Sequence, residues 1–350
     1  MKGVNLKMKF TKKREEAIKK YLLQSIEKNV DDLVKHTSET HKVTRQTIYK
    51  YLKELVAEGM VEKSGTKYFL KLTEYNYKLN LKNNGQGEDI IYNKYISDKI
   101  FEYPLNVKHI WAYCFTEMMN NVIDHSNATE ATISVIKNCL YTIIAIVDNG
   151  IGIFKKIQSF YPNLTIDDII MELFKGKLTT DSKHHTGEGI FFTSRILDSF
   201  LVISDEKVFS HDEFQKKIKD FHIIAHTKNL IIKKIYNSGT TVIMKLKNSS
   251  KKTTKEIFDK YSEESFDRTT LPIKNFFDPY PVSRSQAKRL VLRFDEFKEI
   301  ELDFSGVSEI GQGFADELFV KYANLHPNIN LIPTNANYKI MQMISHVKSA

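Results

Sequence analysis

The chain has 350 residues, a formal net charge of +9 and 41% hydrophobic residues. Its two cysteines exclude a framework of disulfides, and its apolar runs are of strand length, too short to cross a bilayer. We therefore expect a multidomain α+β protein of the cytoplasm, without membrane association, in which two or three domains share this length.

Positive charge is concentrated at the N-terminal end. Residues 1–72 carry 15 Lys and 2 Arg against 7 Glu and 2 Asp, a net charge of +8, whereas residues 271–350 have a net charge of zero. A basic unit attached to a neutral remainder indicates a polyanionic partner for that unit.

Residues 1–75 are predicted to form three helices followed by a β-hairpin. Apolar residues recur at helical spacing in "TKKREEAIKKYLLQSIEK", in "VDDLVKHTS" and in "VTRQTIYKYLKEL". Thr44 is placed to cap the third helix, and Gly59 is placed to end it. The stretch "MVEKSGTKYFLKL" then alternates on both sides of Ser64-Gly65, as a hairpin does.

Three helices and a hairpin in this order resemble the winged helix-turn-helix family. The resemblance implies that the third helix enters the major groove of DNA and that the hairpin is the wing. Arg and Gln suit base edges, whereas Lys and Thr suit phosphates. The alternative is a winged helix that docks to protein, with lysines that are only solvated. The residues expected on the DNA-binding face are Thr44, Arg45, Gln46, Thr47, Tyr49, Lys50, Lys63 and Lys67.

An acid and an amide recur at helical spacing within the central region, residues 76–250. In "TEMMNNVIDHSNATEATISV", Glu117, Asn121 and His125 are four residues apart and are expected on one helical face. Two strand-like runs follow, and the second leads into "DNGIGI", which begins at Asp148. An acid at the end of a buried strand, followed by alternating glycines, lets the backbone approach a flat ligand closely.

Two further turns complete an ordered set of four motifs. "TGEG", residues 186–189, opens an apolar helix, and such a helix start suits phosphate because free amides and the helix dipole point there. "SGTTVIMKL" is a Gly-Thr turn into a strand. In this order the motifs resemble the GHKL, or Bergerat-fold, ATPases, which include gyrase-type topoisomerases, sensor histidine kinases and anti-sigma-factor serine kinases. The resemblance implies an α/β sandwich that binds ATP and Mg²⁺.

The resemblance also implies a role for each matching residue. Asn121 would supply an oxygen to Mg²⁺, and Glu117 would orient and deprotonate a water or a substrate hydroxyl in line with the γ-phosphate. Asp148 would accept a hydrogen bond from the adenine amino group, and Thr240 would help to hold Asp148 and a bridging water. His125 would contact phosphate or support the helix, and both roles stay open. The other residues assigned to ATP binding are Asp124, Gly150, Gly152, Thr186, Gly187 and Gly189.

The sequence departs from the family pattern in two places. His185 stands where the first of three alternating glycines is usual. Residues 205–238 lengthen a connection that is usually short, so we expect an insertion with its own role. His222 and His226 have i, i+4 spacing that could bind zinc, but no third ligand is evident, and a partly buried helical face explains the spacing better.

Residues 251–270 are expected to be a linker, because "KNSSKKTTKE" is polar, and residues 271–350 a small α/β domain. The expected elements are a strand over 299–304, a loop over 305–312, a helix from about residue 313, a strand over 330–333 and a helix from residue 336. This pattern resembles STAS-like domains. In anti-anti-sigma factors of that family, the loop before the helix carries a phosphorylated serine. Gly311, Gln312 and Gly313 occupy this place here, so we expect a module that docks a protein partner or senses a signal.

The three resemblances together predict an ATP-binding and slowly ATP-hydrolysing regulator that binds DNA. Mg-ATP would control its domain arrangement or its dimerisation. One alternative is a serine/threonine protein kinase of the anti-sigma type that acts on a STAS-family or other protein. A second alternative is an interaction scaffold with an inactive nucleotide pocket.

Overall fold

A computed structural model of the chain describes residues 2–82, 87–176, 189–204, 207–210, 239–262, 267–277 and 280–349. Its helices and sheets are those of a multidomain α+β protein. Within these ranges no helix is both long enough and apolar enough to span a membrane. The chain divides into two compact units: unit 1 comprises Met1–Asn76, Ser134–Ile144 and Leu246–Ser249, and unit 2 comprises Tyr77–Ile133, Ala145–Lys245 and Ser250–Ala350.

Unit 1 begins with three helices that pack on one another. They are α1 (Lys2–Glu27), α2 (Leu33–His41) and α3 (Arg45–Ala57). The apolar residues at helical spacing on α1 and α3 are buried: Ile18, Leu22, Leu23, Ile26, Ile48, Leu52 and Leu55. The prediction that Thr44 caps α3 is confirmed, because its hydroxyl accepts a hydrogen bond from Thr47 N at 3.2 Å.

The predicted hairpin is present and consists of β1 (Val61–Ser64) and β2 (Lys67–Leu70), which pair antiparallel. Ser64 pairs with Lys67, so the two turn residues are Gly65 and Thr66. The predicted centre at Ser64-Gly65 was therefore wrong by one residue. Gly65 has φ of 60°, the left-handed conformation that a two-residue hairpin turn requires.

Six strands form the largest sheet of the described residues, in the order β3-β4-β5-β8-β6-β7. β6 pairs antiparallel with both β7 and β8. β4 and β5 contain the two predicted strands, and β5 is buried along its whole length, which explains its unbroken apolar run. β3 was not predicted, because it is a largely polar strand at the edge of the sheet. The strands are β3 (Thr73–Asn80), β4 (Glu130–Lys137), β5 (Tyr141–Asp148), β6 (Ser199–Ser204), β7 (Lys207–Ser210) and β8 (Thr240–Lys247).

The central helices of unit 2 pack in a chain of contacts: α5 contacts α4 and α8, and α7 contacts α6 and α8. They are α4 (Glu88–Tyr95), α5 (Leu105–Asn120), α6 (Ile153–Phe160), α7 (Ile166–Lys175) and α8 (Gly189–Ile196). A short 3₁₀ segment, Ser97–Lys99, precedes α5, and a π-helical turn, Asn121–His125, continues it. The largest buried side chains of these helices are Trp111, Phe115, Phe154, Phe174 and Phe191.

The stretch predicted as a linker, residues 251–270, is described except for residues 263–266. It contains α9 (Thr254–Ser262) and the first residues of β9 (Arg268–Pro272). Phe258 of α9 packs edge-on against Tyr113 and Phe192, with ring centroids 5.2 and 4.8 Å away. This apolar contact within unit 2 explains why a largely polar segment forms an ordered helix.

The C-terminal part of unit 2 contains a parallel sheet of three strands in the order β11-β10-β9. Its predicted strands and helices are present, with bounds shifted by one or two residues. The elements are α10 (Arg284–Leu290), β10 (Glu299–Asp303), α11 (Gln312–Asp316), α12 (Ala323–Leu325), β11 (Asn330–Thr334) and α13 (Tyr338–Ser349), with 3₁₀ segments at Ile273–Asn275 and Phe294–Glu296 and a π-helical segment at Glu317–Tyr322. Phe294, Phe304 and Phe314 are buried in its core.

Candidate functional site

Asp148 is the last residue of β5, and only 4% of its surface is exposed. Its Oδ1 accepts a hydrogen bond from Gly150 N at 2.7 Å, and the backbone of Thr240 also donates to its carboxylate. Burial raises the pKa of Asp148 to about 6, and the two backbone hydrogen bonds oppose that rise. A buried carboxylate has lone pairs for several donors, so this one suits a ligand that presents an N–H group.

The loop that follows Asp148 is held from both sides. Asn149 Oδ1 accepts hydrogen bonds from the backbone N–H groups of Thr129 and Glu130, each at 2.9 Å. Thr240 Oγ1 accepts a hydrogen bond from Ile153 N at 3.0 Å, where α6 begins. Thr240 thus contacts both ends of the loop, as a residue that positions Asp148 should.

Two glycines of this loop occupy places that a side chain cannot. A Cβ added at Gly150 would overlap the backbone oxygen of Ser126, which itself accepts a hydrogen bond from Ile151 N at 2.9 Å. Gly152 has φ of 86°, a conformation that L side chains rarely adopt. The loop therefore needs glycine at both positions to pass close to the end of the π-helical turn and to enter α6.

Glu117, in the last turn of α5, lies against Gly189, the first residue of α8. A Cβ added at Gly189 would overlap Glu117 Oε2. α5 packs against α8, and Cys114, one turn before Glu117, is fully buried, which raises the pKa of its thiol. The start of α8 is thereby fixed against the face of α5 that carries the acid.

Asn121, Asp124 and His125 do not continue α5 as a regular helix, because they belong to the π-helical turn. A π-helix bonds residue i to residue i+5, so the row of side chains shifts relative to an α-helix. Asn121 N donates a hydrogen bond to Glu117 O, so these two residues remain one regular helical turn apart, whereas His125 lies at the end of the π-helical turn. Such turns are frequent at functional sites.

The side chains of Glu117 and Asn121 at the end of α5 could supply oxygen ligands to a metal ion. Carboxylate and amide oxygens at the end of α5 are hard ligands of the kind that Mg²⁺ prefers. Across the described ranges, no cluster of three His, Cys, Asp or Glu could hold a metal ion unaided.

The predicted DNA-binding residues lie on α3 and the hairpin of unit 1. All are exposed except Thr47, which is half-buried. A groove of about 570 Å³ is lined by Arg45 and Tyr49 of α3 and by Lys63 and Lys67 of the hairpin. Asp31 and Asp32 also line the groove, so its charge is mixed at one side. The groove separates the helix from the hairpin and leaves both basic edges open to a polyanion.

Several predicted residues lie outside the described part of the chain: Thr186, Gly187, His185, His222 and His226. Two positioning residues were missed by sequence reasoning. Ser126 and Asn149 hold the loop after β5 through hydrogen bonds. The only sequence signal for them is their position beside motif residues: Asn149 lies within "DNGIGI", and Ser126 directly follows His125.

Comparison with known families finds one match within the C-terminal region. Residues 286–341 match the model of a STAS-like domain of unknown function (DUF4325). The prediction of a STAS-like domain is therefore confirmed, and its class is compatible with binding a protein partner. Comparison of the whole chain with curated proteins finds no match.

Proposed function

We propose that the chain is an ATP-dependent regulator with three working parts. A GHKL-like region in unit 2 binds Mg-ATP, a winged helix in unit 1 binds DNA, and the STAS-like domain receives a protein partner or signal. ATP changes the arrangement or the dimerisation of the protein, and hydrolysis resets it. Bound Mg²⁺ would neutralise phosphate charge, while Asn121 supplies an oxygen ligand to it.

The observation that carries this proposal is the buried carboxylate of Asp148, which lies between Gly150 and Thr240. A carboxylate at the end of a buried strand is costly unless it is compensated, because burial disfavours its charged form. An adenine amino group would supply the missing compensation and would be distinguished from the oxygen of guanine, which cannot donate. Glu117, which lies against Gly189, would then act as the base toward a water or a hydroxyl.

The adenine assignment predicts that Asp148→Asn weakens ATP binding. A hydrogen bond to a charged group contributes about 1.5–3 kcal/mol, which is a loss of affinity of roughly tenfold to a hundredfold. Titration calorimetry of the full chain with Mg-ATP measures it. The matched control is Asp167→Asn, since Asp167 is an exposed acid that pairs with Lys207 at 2.8 Å. Equal affinity of all three proteins would reject the assignment.

The chemistry is tested with γ-labelled ATP and Mg²⁺ on the parent chain and on Glu117→Ala. Release of labelled phosphate by the parent alone supports the ATPase. Label transferred to an added STAS-family protein supports the kinase alternative. Binding without release or transfer supports the scaffold. Loss of ATP binding in Glu117→Ala would contradict the role of Glu117 as a base that is not needed for binding.

A further inference from the structure

The STAS-like domain is attached to α7 by charged side chains at both ends of that helix. At its start, Asp168 completes a capping box with Thr165 and accepts a hydrogen bond from Arg289 Nε of α10 at 2.8 Å. Burial disfavours the charged form of Asp168, but the hydrogen bonds from Thr165 and Arg289 outweigh it and lower its pKa. Arg289 lies within the segment that matches the STAS-like family.

At the end of α7, Lys175 is fully buried and donates a hydrogen bond to the backbone oxygen of Leu292 in the STAS-like domain. Its ammonium also pairs with Glu172 of the same helix at 2.6 Å. Burial lowers the pKa of Lys175 and raises that of Glu172, although each partner opposes the shift of the other. A buried ammonium needs such acceptors, so the carbonyl of Leu292 fixes the last turn of α7 to this domain.

Arg195 of α8 joins the same contact from a second helix. Its Nη2 donates to the backbone oxygens of Phe174 in α7 and of Thr270 in β9, both at 3.0 Å. β9 is the strand that pairs with β10 of the STAS-like domain. One guanidinium therefore connects α7, α8 and the STAS-like sheet.

The same helix α8 begins at Gly189, against the carboxylate of Glu117. A movement of the STAS-like sheet that displaces Arg195 also displaces α8, because Arg195 and Gly189 are only six positions apart in this one helix. The contact at Glu117 leaves no space at Gly189, so a shift of α8 along its axis changes the position of the acid.

We propose that the STAS-like domain regulates the nucleotide site in cis by positioning α7 and α8, and that Arg195, Lys175 and Arg289 are the positioning residues. This inference rests on the proposed function for its consequence, namely that a partner bound to the STAS-like domain alters ATP affinity or turnover. Because coupling between two sites is reciprocal, ATP must also alter the affinity for that partner.

Two arginines of α10 provide a matched test in the full chain. Arg289 pairs with Asp168 of α7, whereas Arg284 pairs with Asp316 inside the STAS-like domain. Both arginine side chains are about half exposed, at 48% and 61%, so neither alanine variant should unfold the protein. Arg289→Ala removes the ion pair at the start of α7, Arg284→Ala leaves it intact, and Arg289→Lys retains a cation beside Asp168.

Hydrogen exchange without nucleotide tests the connection itself. Arg289→Ala should speed exchange in peptides from α7, α8 and the last turn of α5, while Arg284→Ala leaves them unchanged and Arg289→Lys restores part of the protection. Equal exchange in both alanine variants would overturn the proposal, whether or not the protein binds ATP.

Titration with Mg-ATP tests the consequence for the site. Arg289→Ala should change the Kd for ATP by about fivefold or more, and Arg284→Ala should not. If exchange in α8 changes but the Kd does not, the cis regulation is wrong although the contact is real. If the parent binds no ATP, the proposed function fails, and the exchange result still decides whether the STAS-like domain positions α8.

Discussion

Two carboxylates of unit 2 are almost completely buried, and they are compensated in different ways. Asp148 receives backbone N–H groups, whereas Glu172 receives the ammonium of Lys175. The two side chains are buried to a similar extent, with 4% of Asp148 and 2% of Glu172 exposed. They therefore differ in their hydrogen-bonding partners and not in their burial. Backbone N–H groups leave the carboxylate of Asp148 able to accept a further hydrogen bond, and the proposed function assigns it to ligand binding. Glu172 is instead paired with Lys175 of the same helix, and Lys175 makes the contact between α7 and the STAS-like domain through the carbonyl of Leu292.

Breaking the Glu172–Lys175 pair should have the largest effect. Lys175→Ala leaves a buried carboxylate without its ammonium, and removal of one partner of a buried pair costs about 3–5 kcal/mol. We expect a loss of this size in the free energy of unfolding, measured by denaturant titration. Replacing both partners, Glu172→Leu with Lys175→Met, should recover most of it.

The control for this pair is Lys207→Ala, which removes an exposed ion pair with Asp167 and should cost about 0–1 kcal/mol. If Lys175→Ala costs no more than this control, the pair at the end of α7 contributes little to the contact between this helix and the STAS-like domain.

The pH dependence of stability should separate Asp148 from a paired acid. The pKa of Asp148 is raised from 3.8 to about 6 in the folded protein, so its contribution to stability is present below pH 3.8 and is lost as pH rises through 6. Each pKa unit corresponds to about 1.4 kcal/mol, so the loss approaches about 3 kcal/mol. Asp148→Asn removes this pH-dependent loss, because asparagine does not titrate. The free energy of unfolding of the variant, relative to that of the parent, should therefore be about 3 kcal/mol higher at neutral pH than below pH 4.

A constant difference in stability between Asp148→Asn and the parent over this pH range would mean that the folded pKa of Asp148 is ordinary.

The basic side chains on α3 and the hairpin of unit 1 are exposed to solvent, in contrast to the two buried carboxylates. Here we expect effects on binding and none on folding. Arg45→Ala should relax sequence preference and cost about 1–3 kcal/mol on a preferred DNA site, whereas Lys67→Ala should weaken all sequences alike. Affinity of both proteins should fall as salt rises, because each neutralised phosphate releases counterions.

Fluorescence anisotropy with mixed-sequence and selected duplexes at several salt concentrations measures these effects. Glu62→Ala, which removes an exposed acid of the same hairpin, is the control and should not weaken binding. Absence of binding by the parent at low salt would favour a protein-docking role for unit 1.

Sequence reasoning predicted the elements whose burial follows a simple pattern. The apolar run of β5 and the helical spacing of apolar residues in α1 and α3 follow from which side chains are buried on folding, and all three elements are present. The hairpin turn was misplaced by one residue because Ser64 and Gly65 both favour turns, and only the strand register decides between them.

Other features depend on partners that are distant in the chain. α9 is polar except for Ile257, Phe258 and Tyr261, and its order depends on the contacts of Phe258 with Tyr113 and Phe192. Lysine is almost never fully buried, so no local signal indicated that Lys175 would bind the carbonyl of Leu292. The π-helical turn was equally hidden, because the apolar residues that precede it fit a regular helix as well. Local sequence patterns indicated the residues of the candidate site, whereas no such pattern indicated the contacts between α7 and the STAS-like domain.

The parallel sheet of the C-terminal region has a consequence for where this module begins. β9 runs from Arg268 to Pro272, before the segment that matches the STAS-like family, yet it occupies one edge of the sheet and pairs with β10 along five residues. A gene fragment that starts at residue 286 would encode β10 with its N–H and C=O groups unpaired on that side, and exposed strand edges promote aggregation. Any recombinant or natural transfer of this module to another protein must therefore carry the strand that begins at Arg268, together with the threonine whose carbonyl binds Arg195.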